Sequence, residues 1–241
     1  MARQLIVGCS LSILPGVNSV TKARWIKGCL SERYGEIFLW RTEPLETLVE
    51  TILSQNTNDG NRDRAYRALL DRFGGLAAVK EASVEEIADA IRVGGLHRQK
   101  AHRIKQVLQR IEREQGSLDL SFLGRLSLNE AMAWLLASPG VGKKTAGIVM
   151  LFCFGKPYFP VDTHIRRVLT RVGIVGPRED AHDRMNGMLP KDPQFMAALH
   201  LHLIRLGREV CRPRCPDCSH CPLNDGCEWA RVERERGRCV S

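Results

Sequence analysis

The sequence predicts an all-α fold, because its apolar residues recur at helical spacing and show no convincing run of alternation with polar ones. Apolar residues at positions i, i+3, i+4 and i+7 lie on one face of a helix and indicate a buried stripe. Glycines and prolines separate these stripes at short intervals, so successive helices should pack as near neighbours. The clearest stripes are Leu45, Leu48, Val49, Ile52 and Leu53; Ile104, Val107, Leu108 and Ile111; and Met196, Leu199, Leu203 and Leu206.

The helix-breaking residues set the expected order of the helices along the chain. No internal repeat, low-complexity tract or long linker accompanies them. The breakers lie at Gly74–Gly75, Gly94–Gly95, Gly116, Pro139–Gly140, Lys156–Pro157, Gly176–Pro177 and Pro190–Pro193. The charged tail from Arg231 to Arg238 is expected to be a helix end or a frayed terminus.

The size and charge of the chain favour a globular protein with an anionic partner. Its 241 residues can form one large or two small domains. Its formal net charge of +9 favours nucleic acid or another polyphosphate, with a mildly basic solvated surface as the alternative. No apolar run approaches the roughly eighteen residues that span a bilayer, and too little apolar sequence precedes Cys9 for a signal segment. We therefore expect a cytoplasmic protein that does not bind membranes.

A glycine-rich hairpin is predicted between two apolar helices at residues 139–146, Pro-Gly-Val-Gly-Lys-Lys-Thr-Ala. Gly140 and Gly142, one residue apart, permit a tight turn in which one backbone approaches another closely. The amides at the start of the next helix, with the charge of Lys143, suit a phosphate group and read no base sequence. An ordinary corner between two helices is the alternative, since Pro-Gly turns often form one.

Four cysteines near the C-terminus are spaced C-x6-C-x2-C-x5-C and suit one soft metal centre. They are Cys211, Cys218, Cys221 and Cys227. Such thiolates can bind an iron–sulfur cluster or a zinc ion, and the uneven gaps favour a [4Fe–4S] cluster over the paired C-x2-C knuckles of structural zinc. Cys215, inside the first gap, is expected to be a spectator. The alternative is a disulfide knot, which would need strained local bridges in a chain otherwise built like an intracellular protein.

The cysteine spacing and the hairpin together resemble the endonuclease III branch of the helix-hairpin-helix DNA glycosylases. Gly207–Cys211 and Cys227–Trp229 are similar to the ends of that family's cluster loop. The segment Val161–His164 places Asp162 eighteen residues after Lys144, as in the family's hairpin and V-D-T-H pattern. The resemblance covers the C-terminal half of the chain. It implies a base excision repair enzyme with a [4Fe–4S] cluster that acts on double-stranded DNA.

The resemblance also implies a two-lobed, all-α architecture. Residues 40–156 are expected to form a helical barrel domain that contains the hairpin. Residues 1–39 together with 157–241 are expected to form a helical domain that carries the cluster. The protein is expected to act as a monomer, associated with the nucleoid if its source is prokaryotic.

By the same resemblance, Lys144 is the expected nucleophile and Asp162 the essential carboxylate. Removing a base from C1′ builds positive charge on the sugar, which a carboxylate stabilises. A neutral lysine amine can attack C1′ and form a Schiff base that permits β-elimination of the 3′ phosphate, so Lys144 indicates a bifunctional glycosylase and lyase. The alternatives are a solvated surface lysine for Lys144 and a helix N-cap for Asp162.

Further residues are expected to hold and open the DNA, because the target base has to leave the stack. Ile52–Asp59 resembles the family's L-S-x-Q-x-T-D segment, and either Gln55 or Asn56 is the candidate that fills the vacated space. Gly94–Ala101 resembles the family's G-L-x-x-x-K-A loop, in which Leu96 would wedge the opposite strand. The alternatives are a buried loop anchor for Leu96 and plain solvent exposure for the two residues after it. The expected DNA-contacting residues are Gln55, Asn56, Leu96, His97, Arg98, Lys100, Gly140, Gly142, Lys143 and Thr145.

Departures from the family pattern bear on the substrate. Ser138 replaces the leucine usual before Pro-Gly, and residues 56–58 are more polar than in endonuclease III. Damaged or mismatched bases are expected, with oxidised pyrimidines first, since ordinary endonuclease III relatives act on them. One alternative is a monofunctional glycosylase for thymine, uracil or adenine in mismatches. The other is a non-enzymatic helix-hairpin-helix DNA-binding module, against which the presence of Asp162 argues.

Overall fold

The computed structural model of this chain describes residues 19–236, and every helix or strand assigned within that range is a helix. The all-α prediction is confirmed. None of the helices in this range is both long and apolar enough to cross a bilayer. The described α-helices are α1 (Ser19–Tyr34), α2 (Pro44–Leu53), α3 (Asp59–Phe73), α4 (Leu76–Glu81), α5 (Val84–Ala90), α6 (His97–Gln115), α7 (Leu128–Leu136), α8 (Lys143–Ile148), α9 (Thr163–Val172), α10 (Ala181–Met188), α11 (Pro193–Glu209) and α12 (Glu228–Glu235).

The predicted apolar stripes form the core faces of α2, α6 and α11. All thirteen residues of the three stripes are buried, and Ile52, Ile104 and Leu203 have no exposed surface. Burying a side chain of this size stabilises the fold by about 1.5–3 kcal/mol, so these stripes decide which face of each helix turns inward.

Helix ends follow the predicted breakers and use local caps. Gly116 ends α6 with φ +74°, in the left-handed region that favours glycine. Ser83 and Ser127 begin α5 and α7 with capping boxes, in which the serine hydroxyl and a glutamate three residues later satisfy each other's backbone N–H. These sharp ends allow the short connections that the sequence predicts.

The contacts divide the chain into two compact units, of which Trp40–Lys156 is one. We call it the hairpin unit, because it contains the glycine-rich hairpin. In it α6 packs against α2, α4 and α5, and α8 packs against α2 and α7. The end of α2 and the start of the helix after the hairpin therefore share one neighbourhood.

The second unit, here the cysteine unit, comprises the residues up to Leu39 together with those from Pro157 onward. Its α11 packs against α1 and α9, and α12 packs against α9. The predicted domains have the same boundaries as the two units; that each folds as a domain with its expected role stays a prediction. Residues 1–18 and 237–241 lie outside the described residues, and with them the expectations for Cys9 and Arg238.

Candidate active site and nucleic-acid interface

The glycine-rich hairpin joins α7 to α8 through one tight turn. The Val141 N–H donates to the Ser138 carbonyl at 3.1 Å, and Gly140 has a φ of +79°. A Cβ on Gly140 would lie 2.3 Å from Cδ of Arg103, so the arginine side chain packs directly over this glycine. Gly142 is exposed, has extended backbone and precedes α8 as its N-cap.

Ser138, the residue before the turn, is buried and held by α6. Its hydroxyl accepts a hydrogen bond from the Arg110 guanidinium, which also donates to the Trp134 carbonyl at 2.9 Å. The same guanidinium lies over the Trp134 ring, 4.3 Å from its centroid. Arg110 therefore fixes the end of α7 and the entry to the hairpin against α6.

Lys144, the predicted nucleophile, is the second residue of α8, and its side chain is half-buried. Its Nζ donates to the Ser54 hydroxyl at 3.3 Å. That hydroxyl in turn donates to the Thr51 carbonyl at 2.8 Å, in the last turn of α2. The amine is thus directed at the segment that follows α2.

Gln55 joins that segment to the hairpin. Its Nε2 donates to the Gly140 carbonyl at 2.9 Å, and its Oε1 accepts from Nη1 of Arg103 at 2.7 Å. Both ends of the Gln55 amide are therefore used within the hairpin unit. The next residue, Asn56, is exposed and has a φ of +50°. Of the two candidates for filling a vacated base position, Asn56 is the exposed one.

Leu96 presents an apolar side chain to solvent. Its relative exposure is 50%, and its φ of +47° is uncommon for a residue with a branched side chain. It is the N-cap of α6 and is followed by half-buried His97 and exposed Arg98. The alternative that Leu96 is a buried loop anchor is wrong.

Two side chains expected to contact DNA lie inside the hairpin unit instead. Lys100 has no exposed surface, and its Nζ donates to the carbonyls of Leu53 at 2.6 Å and Gly94 at 2.8 Å. Thr145, in the first turn of α8, is only 3% exposed. A side chain must reach the surface to contact DNA. Both of these side chains are buried, so neither can make that contact.

Asp162, the predicted carboxylate, belongs to the cysteine unit and begins α9. Its Oδ1 accepts a hydrogen bond from the Ile165 N–H at 2.7 Å, and its backbone is extended. The N-cap role that the sequence offers as an alternative is therefore present. The cap occupies one carboxylate oxygen, so capping and a role in chemistry are compatible.

The four predicted ligand cysteines line one pocket, in the loop between α11 and α12. The exposed Cys215, with φ +45°, does not line it. All five thiols are free, so the disulfide alternative is wrong. Within residues 19–236, no three His, Cys, Asp or Glu side chains are arranged to hold a metal ion as they stand. The thiols lining the pocket are Cys211, Cys218, Cys221 and Cys227.

Arg171 of α9 holds the cysteine loop from one side. Its Nη1 lies 3.3 Å from Sγ of Cys211 and donates to the Arg212 carbonyl at 2.7 Å. Its guanidinium also stacks over the Trp229 ring at 4.7 Å. Burial raises the pKa of the Cys221 thiol to about 12. The raised pKa favours the protonated thiol. A bound metal reverses that preference, because coordination deprotonates the sulfur.

Arg103 and Arg171 have contacts at these sites and lie outside the motifs described above, whereas Ser54 lies within the segment Ile52–Asp59, which does not indicate its contact with Lys144. Arg103 follows Lys100 by three positions on α6, so helical spacing does place both on one face. The contact of Ser54 with Lys144 joins residues 90 positions apart, which no local pattern reports.

Known proteins are similar to this chain in sequence and in fold. The family model for HhH-GPD superfamily base excision DNA repair proteins matches residues 49–189. Endonuclease III of Thermotoga maritima is 33% identical over 192 residues, which cover 79% of this chain and 85% of the relative. Endonuclease III of Sulfolobus acidocaldarius is 36% identical over 186 residues, covering 76% and 81%. A solved endonuclease III–DNA covalent intermediate has a TM-score of 0.74 at 23% identity, covering 91% of this chain and 100% of that chain, and so shows the fold.

Gly140→Ala is expected to destabilise the hairpin more than Gly142→Ala. At Gly140 an alanine would adopt a left-handed backbone, at a cost of about 1–2 kcal/mol, and would displace Arg103. At Gly142 nothing lies within 4 Å of the added Cβ, so only the replacement of a glycine N-cap by alanine counts, and a loss of no more than about 1 kcal/mol is expected. Urea unfolding followed by circular dichroism measures both values. Equal losses in the two variants would contradict the described turn.

Proposed function

The chain belongs to the HhH-GPD superfamily of base excision DNA repair proteins, and from this premise we propose an endonuclease III-like DNA glycosylase with abasic-site lyase activity. The observation that carries the proposal is the position of Lys144. Its Nζ is held 3.3 Å from the Ser54 hydroxyl, in the segment that leads to exposed Asn56. A nucleophile suited to attack on a sugar is thus tied to the segment proposed to fill the place of an extruded base.

Lys144 is the proposed nucleophile. Its neutral amine attacks C1′ while the bond from C1′ to the base breaks and the base leaves with the electron pair. Opening of the sugar ring then gives a Schiff base between the amine and C1′. Loss of a proton from C2′ expels the 3′ phosphate by β-elimination. The hydrogen bond to Ser54 gives the amine a defined direction before it reacts.

Asp162 is proposed to stabilise the positive charge that develops on the sugar. Its Oδ1 is held by the Ile165 N–H at 2.7 Å, so the carboxylate is oriented before any substrate binds. A charge that needs no reorganisation during the reaction stabilises the transition state more than the bound substrate.

Two exposed residues are proposed to open the duplex. Asn56, in the insertion segment (residues 53–56), fills the space of the extruded nucleotide, and Leu96, in the wedge loop (residues 94–96), enters the opposite strand. Gln55 supports the insertion segment from within, because both ends of its amide are bonded in the hairpin unit. The hairpin amides, Lys143 and Arg98 contact phosphates, in keeping with the net charge of +9.

A [4Fe–4S] cluster is proposed at the pocket between α11 and α12, held by Cys211, Cys218, Cys221 and Cys227. Four free thiols around one pocket match the ligand number of such a cluster, and Arg171 brings positive charge to within 3.3 Å of one of them. When bound, the cluster ties the loop together covalently. Removing a base by displacement at C1′ needs no electron transfer.

The proposed substrate is double-stranded DNA with a damaged or mismatched base, with oxidised pyrimidines as the preferred class and a monomer as the active form. Screening duplexes that each carry one modified base identifies the preferred lesion. A monofunctional glycosylase of the same fold would keep Asp162 and use Lys144 only to bind DNA. Covalent trapping separates these two activities.

Lys144→Gln is expected to abolish borohydride trapping and strand cleavage on abasic duplex DNA, because no amine remains to form the Schiff base. DNA binding should persist, since the hairpin backbone is unchanged. The neighbouring Lys143→Gln is the control and should still be trapped at saturating protein concentration. Full trapping of Lys144→Gln would assign the nucleophile elsewhere.

Asp162→Asn is expected to slow base release by about 100-fold or more with little change in DNA affinity, because it removes charge felt mainly in the transition state. Asparagine also caps helices, so α9 should stay intact. Asp192→Asn is the matched control, since Asp192 caps α11 through the Gln194 N–H at 2.9 Å. Single-turnover rates on the preferred lesion decide the matter. An unchanged rate in Asp162→Asn would leave the carboxylate with a capping role alone.

Purified protein is expected to contain about four irons per chain, with broad absorbance near 400 nm. Cys218→Ser should lose iron and absorbance, because Cys218 lines the pocket; Cys215→Ser should keep both, because Cys215 does not. Elemental analysis of anaerobically prepared protein measures the metal. Stoichiometric zinc without iron, or iron loss in both variants, would refute this ligand assignment.

A further inference from the structure

Lys100 is a fully buried cation at the base of both segments proposed to enter DNA. Its Nζ donates to the Leu53 carbonyl at 2.6 Å and to the Gly94 carbonyl at 2.8 Å. Leu53 begins the insertion segment, and Gly94 begins the wedge loop. A single ammonium group therefore joins the two segments.

Both acceptor carbonyls lie at the C-terminal ends of helical segments. Leu53 is the last residue of α2, and Gly94 is the last residue of the short 3₁₀ turn Arg92–Gly94. Carbonyls at such ends lack helical partners and carry the negative end of the helix dipole, so they suit a cation. Burial lowers the pKa of Lys100, since removing the ammonium from water disfavours its charged form. An apolar side chain would avoid that cost but would leave both carbonyls without a partner, so the ammonium is suited to this position because it joins the two ends.

The residues proposed to insert follow these carbonyls closely along the chain. Asn56 is three residues after Leu53, and Leu96 is two residues after Gly94. Both are exposed, and both have left-handed backbone, with φ values of +50° and +47°. Movement of the backbone at Leu53 would displace Asn56, and movement at Gly94 would displace Leu96. Displacements of about 1 Å are enough to slow a positioned reaction by about 100-fold.

We infer that Lys100 is a positioning residue that locks the insertion segment to the wedge loop, so that Asn56 and Leu96 enter the duplex as one rigid body. The inference rests on the proposed function, because it presupposes that the protein extrudes a base. It assigns duplex opening, as distinct from the chemistry at C1′, to a residue that cannot touch DNA from its buried position.

Lys105, which is half-buried, provides a control on the same helix. Its ammonium also donates to a backbone carbonyl, that of Ala82, which lies outside both segments. Lys100→Met and Lys105→Met each remove a lysine ammonium from a carbonyl of the hairpin unit. Only the first breaks the link between the insertion segment and the wedge loop.

The test compares an abasic site in duplex DNA with the same site in a single strand, which has no stack to open. Single-turnover borohydride trapping gives a rate for each substrate. Lys100→Met should lower the duplex rate at least about tenfold relative to the single-strand rate, and Lys105→Met should leave that ratio unchanged. The fluorescence of a 2-aminopurine placed opposite the abasic site rises when that base is unstacked. This rise should occur with wild-type protein and with Lys105→Met, and should be lost with Lys100→Met.

The outcomes separate this inference from the proposed function. Wild-type protein that traps neither substrate would count against the proposed function. Active wild-type protein whose duplex-to-single-strand ratio is the same in Lys100→Met would overturn the lock. A change of ratio in Lys105→Met equal to that in Lys100→Met would overturn it too, because general destabilisation would then account for both.

A second measurement does not depend on the folding of a Lys100 variant. Asn56→Ala and Leu96→Ala should each lower the duplex-to-single-strand ratio in a chain that keeps Lys100. The double variant should lose little more than either single variant, because a lock makes insertion one event. Losses that multiply independently would overturn the inference.

Discussion

The four carbonyls at the C-terminal end of α2 are the constraint on which the candidate site depends. An α-helix leaves these carbonyls without helical partners, and each one that stays unmet in a buried position costs about 1–3 kcal/mol. All four are met here, in order, by the Ser54 N–H, the Ser54 hydroxyl, the Gln55 N–H and the Lys100 ammonium, at Glu50, Thr51, Ile52 and Leu53. The hydrogen bonds that satisfy the end of α2 therefore fix the side chains of Ser54 and Lys100. The Ser54 hydroxyl in turn accepts a hydrogen bond from the Lys144 amine and so orients it.

Gln55 extends the same network to the hairpin. Its amide spans the Gly140 carbonyl on one side and Arg103 on the other, and Arg103 packs over Gly140 where any Cβ would stand. The turn, the insertion segment and α6 are thus joined by hydrogen bonds and by close packing. A backbone shift in one of them has to be accommodated by the other two. The nucleophile and the proposed DNA-inserting residue consequently belong to one hydrogen-bonded frame.

The sequence predicted the features that depend on neighbouring residues, such as buried helix faces and helix caps. It did not predict contacts between residues far apart in the chain. The buried stripes and the cap at Asp162 follow from residue type and spacing within a few positions. The resemblance implied that Lys100 contacts DNA, but its side chain is buried and its acceptor at Leu53 is 47 positions away. The contact of Arg171 with Cys211 likewise spans 40 positions. No rule of residue spacing predicts such pairs. The motifs therefore indicated where the site lies but not the hydrogen bonds within it.

Asn56 and Leu96 both have left-handed backbone, and the conformational strain is at Leu96. This conformation costs a leucine about 1–2 kcal/mol, whereas asparagine adopts it readily, so at Leu96 it persists only where the neighbouring structure determines it. The neighbours do so here: Leu53 and Gln55 are bonded from α6, Ser54 from α8, and the wedge loop is bonded through Gly94. An exposed side chain on a backbone already fixed gives up little conformational entropy when it inserts into a duplex. Lys100 of α6 and Leu96 of the wedge loop therefore both contribute to opening the duplex, the lysine by fixing the backbone of the loop and the leucine by inserting from it.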